Sequence, residues 1–222
     1  MSYLFDQKIA QKDLKKFFSK NKSSLQSFGT RVNQTFEAYV FAKTIKYYQS
    51  KGWHTAIVNP PNTKKLRLKF STRGAPGNFS YCFAQKNSSC IQIRHQLRVD
   101  ISKKFKTQTK PSNLCCDIVI MEDTNVDHYD TSDALPNDML ISFGEVKHMS
   151  AFAELVASFI GLVHELSPNK LKRIRTGSYK GNGHLPSFLY VSGVLYSTAG
   201  GIYQSIKKRK YDFDIYSYDN PL

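Results

Sequence analysis

Ile141-Ser142-Phe143-Gly144-Glu145-Val146-Lys147, with the apolar-periodic segment that follows it, decides how this chain folds. The run has strand length and carries charge only at Glu145 and Lys147. Two apart on a strand, these side chains project from one face while Val146 points into the core. The stretch 139–147 therefore reads as a strand. Ser150 is placed to cap a helix whose apolar face is Phe152, Leu155, Val156, Phe159, Ile160 and Val163. After a basic stretch (Lys170, Lys172, Arg173, Arg175) and a loop with Gly177, Gly181 and Gly183, residues 188–196 read as a further strand. Strand, helix and strand in that order make a crossover that sets the two strands parallel.

Working outward, residues 114–121 form a short apolar run between Pro111-Ser112-Asn113 and an acidic loop, as suits a central strand buried on both faces, and Asp117 lies within it. Residues 91–101 alternate apolar and polar and predict a longer strand. Residues 66–72 and 79–85 predict two strands around the turn 73–78, and 53–58 another, ended by Asn59-Pro60-Pro61. Residues 30–51 carry helical spacing and stop at Gly52, and 5–20 predict a short basic amphipathic helix. A short helix over 201–210 and a strand over 213–216 close the chain. The expectation is one α/β (α+β) domain over 1–222 with a mixed central sheet flanked by helices. Residues 1–28 read as a helical extension and 122–138 as an acidic loop insertion.

The 222 residues are 41% hydrophobic, with 15 Phe and 13 Tyr, enough to exclude wholesale disorder. The longest nearly apolar run, 151–163, contains Glu154 and falls short of the roughly 20 residues that span a bilayer. No signal peptide is visible in the first residues, so the reading is a soluble cytoplasmic protein without a membrane partner. Four cysteines, Cys82, Cys90, Cys115 and Cys116, show no zinc spacing and read as reduced thiols.

Charge points to the partner. There are 32 Lys and Arg against 17 Asp and Glu, a net +15. Six acids and no basic residue fall within 122–138, which leaves 32 basic against 11 acidic residues, +21, on the rest. Such a field favours a polyanion, and nucleic acid is the commonest one inside a cell. Lys64, Lys65, Arg67 and Arg73, with Lys69 among them, and Lys172, Arg173, Arg175 and Lys180 are the candidate phosphate contacts, as is the run 207–210. By position and charge, the acidic loop reads as a nucleic-acid mimic that restrains the site until substrate displaces it.

Carboxylates in core strands cost several kcal/mol unless paired or metal-bound. If the strands are neighbours, Asp117 and Glu145 converge on one cation with Lys147 beside it, and oxygen donors suit Mg²⁺ or Mn²⁺. Asp117, 27 intervening residues and then Glu145-Val146-Lys147, followed by a helix, resembles the PD-(D/E)XK, or restriction-endonuclease-like, nuclease superfamily. That superfamily has an αβββαβ core, which the element order from residue 30 to 196 matches with extra strands inserted. Cys116 stands where the family has a proline.

The resemblance implies a divalent ion held by Asp117, Glu145 and the Val146 carbonyl. It also implies Glu37 on the first helix as an additional ligand, and Glu37 is the only acid between Asp13 and Asp100. Lys147 would orient or deprotonate water, or neutralise the transition state. The implied activity is metal-dependent DNA endonuclease action in restriction, phage defence or repair, with a homodimer where both strands are cut. The alternatives are an inactive nucleic-acid-binding module on the same fold, or a ribonuclease. His95 reads as a core histidine, Asp100 as a turn residue, and Asp127, His128 and Asp130 as solvated loop residues. His148 is a polar residue of a strand-to-helix junction.

Overall fold

The computed structural model describes residues 5–20, 24–25, 32–61, 63–103, 110–172 and 183–222. Helix α1 (Gln7–Lys20) starts at Asp6, whose Oδ1 accepts the N–H groups of Lys8 and Ile9. Its stripe of Ala10, Leu14, Phe17 and Phe18 is buried. Expected as an extension, it is instead built into the core, because Leu14, Phe17 and Phe18 pack in one cluster with Phe36, Val40, Phe41 and Ile45 of α2 (Val32–Ser50). Helix α2 stops as its sequence predicts. Gly52 is left-handed (φ 81°), its N–H donates to Gln49 O, the Trp53 N–H donates to Tyr48 O, and the Tyr48 and Trp53 rings close the motif at 5.5 Å.

The strands are β1 (Ser24–Leu25), β2 (His54–Val58), β3 (Lys65–Leu66), β4 (Tyr81–Lys86), β5 (Ser89–Asp100), β6 (Asn113–Glu122), β7 (Leu140–Lys147), β8 (Ser187–Val191) and β9 (Phe213–Tyr216). Seven of them form one sheet in the order β2-β4-β5-β6-β7-β8-β9, and β1 pairs with β3 apart from it. Pairing is antiparallel from β2 to β7 and parallel from β7 to β9. The parallel step is the predicted crossover, through α3 (Ala153–Leu166). Helix α4 (Ser197–Arg209) then connects β8 to β9. Helices α1 and α2 share one apolar cluster with the sheet, and α3 and α4 share the other. No described helix is long and apolar enough to cross a membrane.

Several expected boundaries shift. The strand expected over 66–72 shrinks to β3, because the segment is tied down by a serine instead of a ladder. Ser80 Oγ accepts the Arg67 N–H (2.9 Å) and donates to Asn59 Oδ1 (2.8 Å), while the Ser80 N–H donates to Arg67 O (2.8 Å). The strand expected to reach residue 196 ends at Val191. Ser150 does not cap α3; its Oγ accepts the Val194 N–H at 3.3 Å, and Phe152 holds the N-cap position. Helix α4 begins at Ser197, four residues earlier than its sequence predicts.

β5 is not a plain alternating strand. Ile91 and Ile93 pack on the α2 side, whereas Leu97 and Val99, of the same parity, pack on the α3 side. The switch occurs at Gln96, a non-glycine residue in the left-handed region (φ 55°). In β6 the same switch falls between Cys116 and Ile118, at Asp117. His95, expected on the face of Leu97 and Val99, accordingly turns toward α2, with Phe41 and Phe70 at 6.1 and 5.2 Å.

Candidate active site

β6 and β7 stay paired as far as Ile118 and Gly144, and beyond that point a side chain replaces the ladder. The Val146 N–H donates to Asp117 Oδ2 at 2.8 Å, so a carboxylate satisfies a strand amide that has lost its backbone partner. Gly144 permits the approach on the β8 side, since a Cβ there would lie 2.3 Å from the buried Phe188 ring. Past this glycine, Glu145 and Lys147 share one face and Val146 enters the core cluster.

The side chains converge as follows. The Lys147 ammonium pairs with the Glu145 carboxylate and lies 3.4 Å from Asp117 Oδ2. Gln96 Nε2 donates to Asp117 Oδ1 (2.8 Å) and to Glu37 Oε2 (3.3 Å), bridging the strand acid to the helix acid. His95 Nε2 lies 3.2 Å from the same Glu37 oxygen, although neither ring nitrogen makes a well-directed hydrogen bond among the described residues. All four expected site residues, Asp117, Glu145, Lys147 and Glu37, thus come together.

Burial raises the Asp117 carboxyl, opposed by Lys147 and the Val146 N–H. Glu145 is pushed up to about 7, by burial first and then by the charge of Asp117. Burial works against the Lys147 ammonium, but Asp117 and Glu145 outweigh it and raise its pKa. Lys147 is therefore cationic near neutral pH.

Among the described residues, no group of three or more His, Cys, Asp and Glu side chains gathers as a metal cage. The donor chemistry nevertheless fits a hard divalent cation. Burial and the charge of Glu37 make Asp117 harder to ionise, and burial and the charge of Asp117 do the same to Glu145, so a cation held at these carboxyls relieves both. Compared with protein-family models, curated proteins and solved structures, the chain matches none.

Sequence reasoning missed Gln96 and gave His95 a purely structural place. A polar residue in an alternating strand carries no signal by itself; the backbone conformation at Gln96 is what turns it into the site. Of the candidate phosphate contacts, Lys64, Lys65, Arg67, Arg73 and Lys172 are exposed, while Arg173, Arg175 and Lys180 lie outside the described residues. Lys69 does not fit that role, and Lys170 of the neighbouring basic stretch is likewise taken up within the fold. Lys69 is buried at 5.9 Å from the Phe79 ring, and Lys170 turns inward to Asp212 at 3.4 Å. In the run 207–210, Lys207 is held by Asp214 at 2.9 Å.

The acidic loop lies along β5. Asp127 pairs with Arg94 at 2.8 Å, Asp123 accepts from Gln92 at 2.7 Å, and Val126 and Leu135 are buried beneath. Its described hydrogen bonds go mainly to β5, and Asn137 Nδ2 also donates to Leu166 O at the end of α3 (2.9 Å); none goes to Asp117, Glu145 or Lys147.

Proposed function

We propose that this chain is a metal-dependent nuclease that hydrolyses phosphodiester bonds in DNA, of the PD-(D/E)XK kind. The observation that carries the reading is the convergence of Asp117, Glu145 and Lys147 where two antiparallel strands part, with the Asp117 carboxylate on the Val146 N–H. The run α2-β5-β6-β7-α3-β8 supports it, having the αβββαβ order with an antiparallel triplet followed by a parallel crossover.

Asp117, Glu145 and the Val146 carbonyl would hold Mg²⁺ or Mn²⁺, with Glu37 as a further ligand. Bound there, the ion supplies Lewis acidity to the scissile phosphate and its attacking water. The chain's own residues do the rest. Lys147 offsets the charge that builds on the phosphate oxygens. Gln96 positions Asp117 and Glu37 relative to one another. The exposed Lys64, Lys65, Arg67, Arg73 and Lys172 neutralise backbone phosphates without reading sequence. Restriction, phage defence and repair are all consistent with such an activity, and a homodimer would supply two sites for double-strand cleavage.

One observation favours a second reading. Lys147 pairs with Glu145 and lies near Asp117, so the three side chains also form an ion-pair network of their own, as a nucleic-acid-binding module without cleavage would need. Plasmid cleavage in EDTA, Mg²⁺ and Mn²⁺ by the wild type and Glu145→Ala, with an RNA substrate in parallel, separates them. Metal-dependent nicking or linearisation that vanishes in the variant is the expected result. Salt-sensitive binding without cleavage by either protein would establish the module, and equal cutting by both would remove this site from consideration.

A further inference from the structure

Beside the carboxylates lies a pocket of about 430 Å³ that the cleavage chemistry does not use. It opens between α1, α2, the end of β8 and the C-terminal tail. Phe36, Tyr39 and Tyr190 form its inner wall, and Tyr218, 54% exposed, stands at its mouth. Three links tie residues of its lining to the strand and helix that carry the site. Val191, in its lining, pairs with Lys147 across β7 and β8. The N–H of Ser192, also in the lining, donates to Lys147 O at 3.1 Å. Phe36 adjoins Glu37 on α2, and its ring packs against His148, the residue after Lys147, at 6.0 Å.

Two features say what it takes. The walls are aromatic, which suits a flat ring system, and the volume falls within the range of small-molecule sites. Ser192 is only 3% exposed, and its Oγ has no hydrogen-bond partner among the described residues. Asp6, Asp13 and Lys43 place charges of both signs in the lining without filling it.

We propose that this pocket receives one unpaired nucleobase of the strand whose backbone lies at Asp117, Glu145 and Lys147, stacking it on the tyrosines. The inference rests on the nuclease reading, because only a strand at the neighbouring site brings a base within reach. It predicts that the substrate is unstacked or single-stranded where it is bound, as in proteins that draw a base out of the helix.

The test uses the full chain in EDTA, so that nothing is cut. Fluorescence anisotropy compares a labelled oligo-dT strand with a strand of equal length made of abasic residues. The wild type is expected to bind oligo-dT about 10-fold more tightly, the scale of one stacked base. Tyr39→Ala and the more exposed Tyr218→Ala are expected to erase that preference while leaving the abasic strand bound as before. Equal affinities for the two strands in the wild type, or a preference unchanged in Tyr218→Ala, would overturn the pocket's role. If metal-dependent plasmid cleavage survives that result, the nuclease reading stands alone. Binding of neither strand would also overturn the pocket's role, and the nuclease reading would then be decided by the plasmid cleavage alone.

Discussion

Glu145 makes the site respond to pH. Its folded pKa of about 7 lies above its ordinary value of 4.5, so the folded state prefers it protonated. The stability this contributes is complete below about pH 4.5 and is lost as pH rises through 7. The loss is of order 3 kcal/mol, or about 10 °C in Tm for a chain of this size. Thermal melts in EDTA should therefore fall more between pH 5 and pH 8 for the wild type than for Glu145→Gln; parallel curves would show that the carboxyl is not perturbed. Gln96 gives a second prediction at this scale. Left-handed backbone costs a non-glycine residue about 1 kcal/mol. Gln96→Gly should thus be more stable to urea than Gln96→Ala by about that amount. Both variants lose the bridge between Asp117 and Glu37 and should lose activity alike. Equal stability of the two would show that the strand relaxes at this position. Asp117, Glu145 and Lys147 are legible as candidates because charge within an apolar run is conspicuous, whereas Glu37 enters only through the family resemblance. Gln96 is not, since its role comes from φ at a strand position that reads as ordinary.

At the level of elements, the meeting of β6, β7 and β8 depends on one missing side chain. A methyl group at Gly144 would meet the fully buried Phe188 ring, which pairs directly across from it. Overpacking of a filled core costs about 1–3 kcal/mol, and Gly144→Ala should be destabilised on that scale in urea denaturation. Adding Phe188→Leu should recover part of the loss, and strict additivity of the two changes would mean that they do not touch. The same elements show what periodicity can and cannot locate. The Gly52 stop of α2 and the parallel crossover through α3 follow from local signals. The short β3 and the early end of β8 do not, because Ser80 and Ser150 bind backbone groups far away in sequence.

For the whole molecule, the net charge of +15 sets the expectation for polyanion binding. Replacing Lys64, Lys65, Arg67 and Arg73 with Gln should lower the slope of log K against log salt for DNA binding by about 3–4 if each meets a phosphate. An unchanged slope would place the phosphates on another face. Composition and periodicity by themselves determined the α/β class, the order of the helices and most strands, and the residue types at the candidate site. Each of these is encoded within a few residues, by the pleat of a strand or the turn of a helix. Only the tertiary structure decided that α1 belongs to the core, that Lys69 and Lys170 turn inward, and that β5 and β6 change faces together at Gln96 and Asp117. Those outcomes depend on which distant segments compete for the same buried space and the same hydrogen-bonding groups, and no local spacing carries that information.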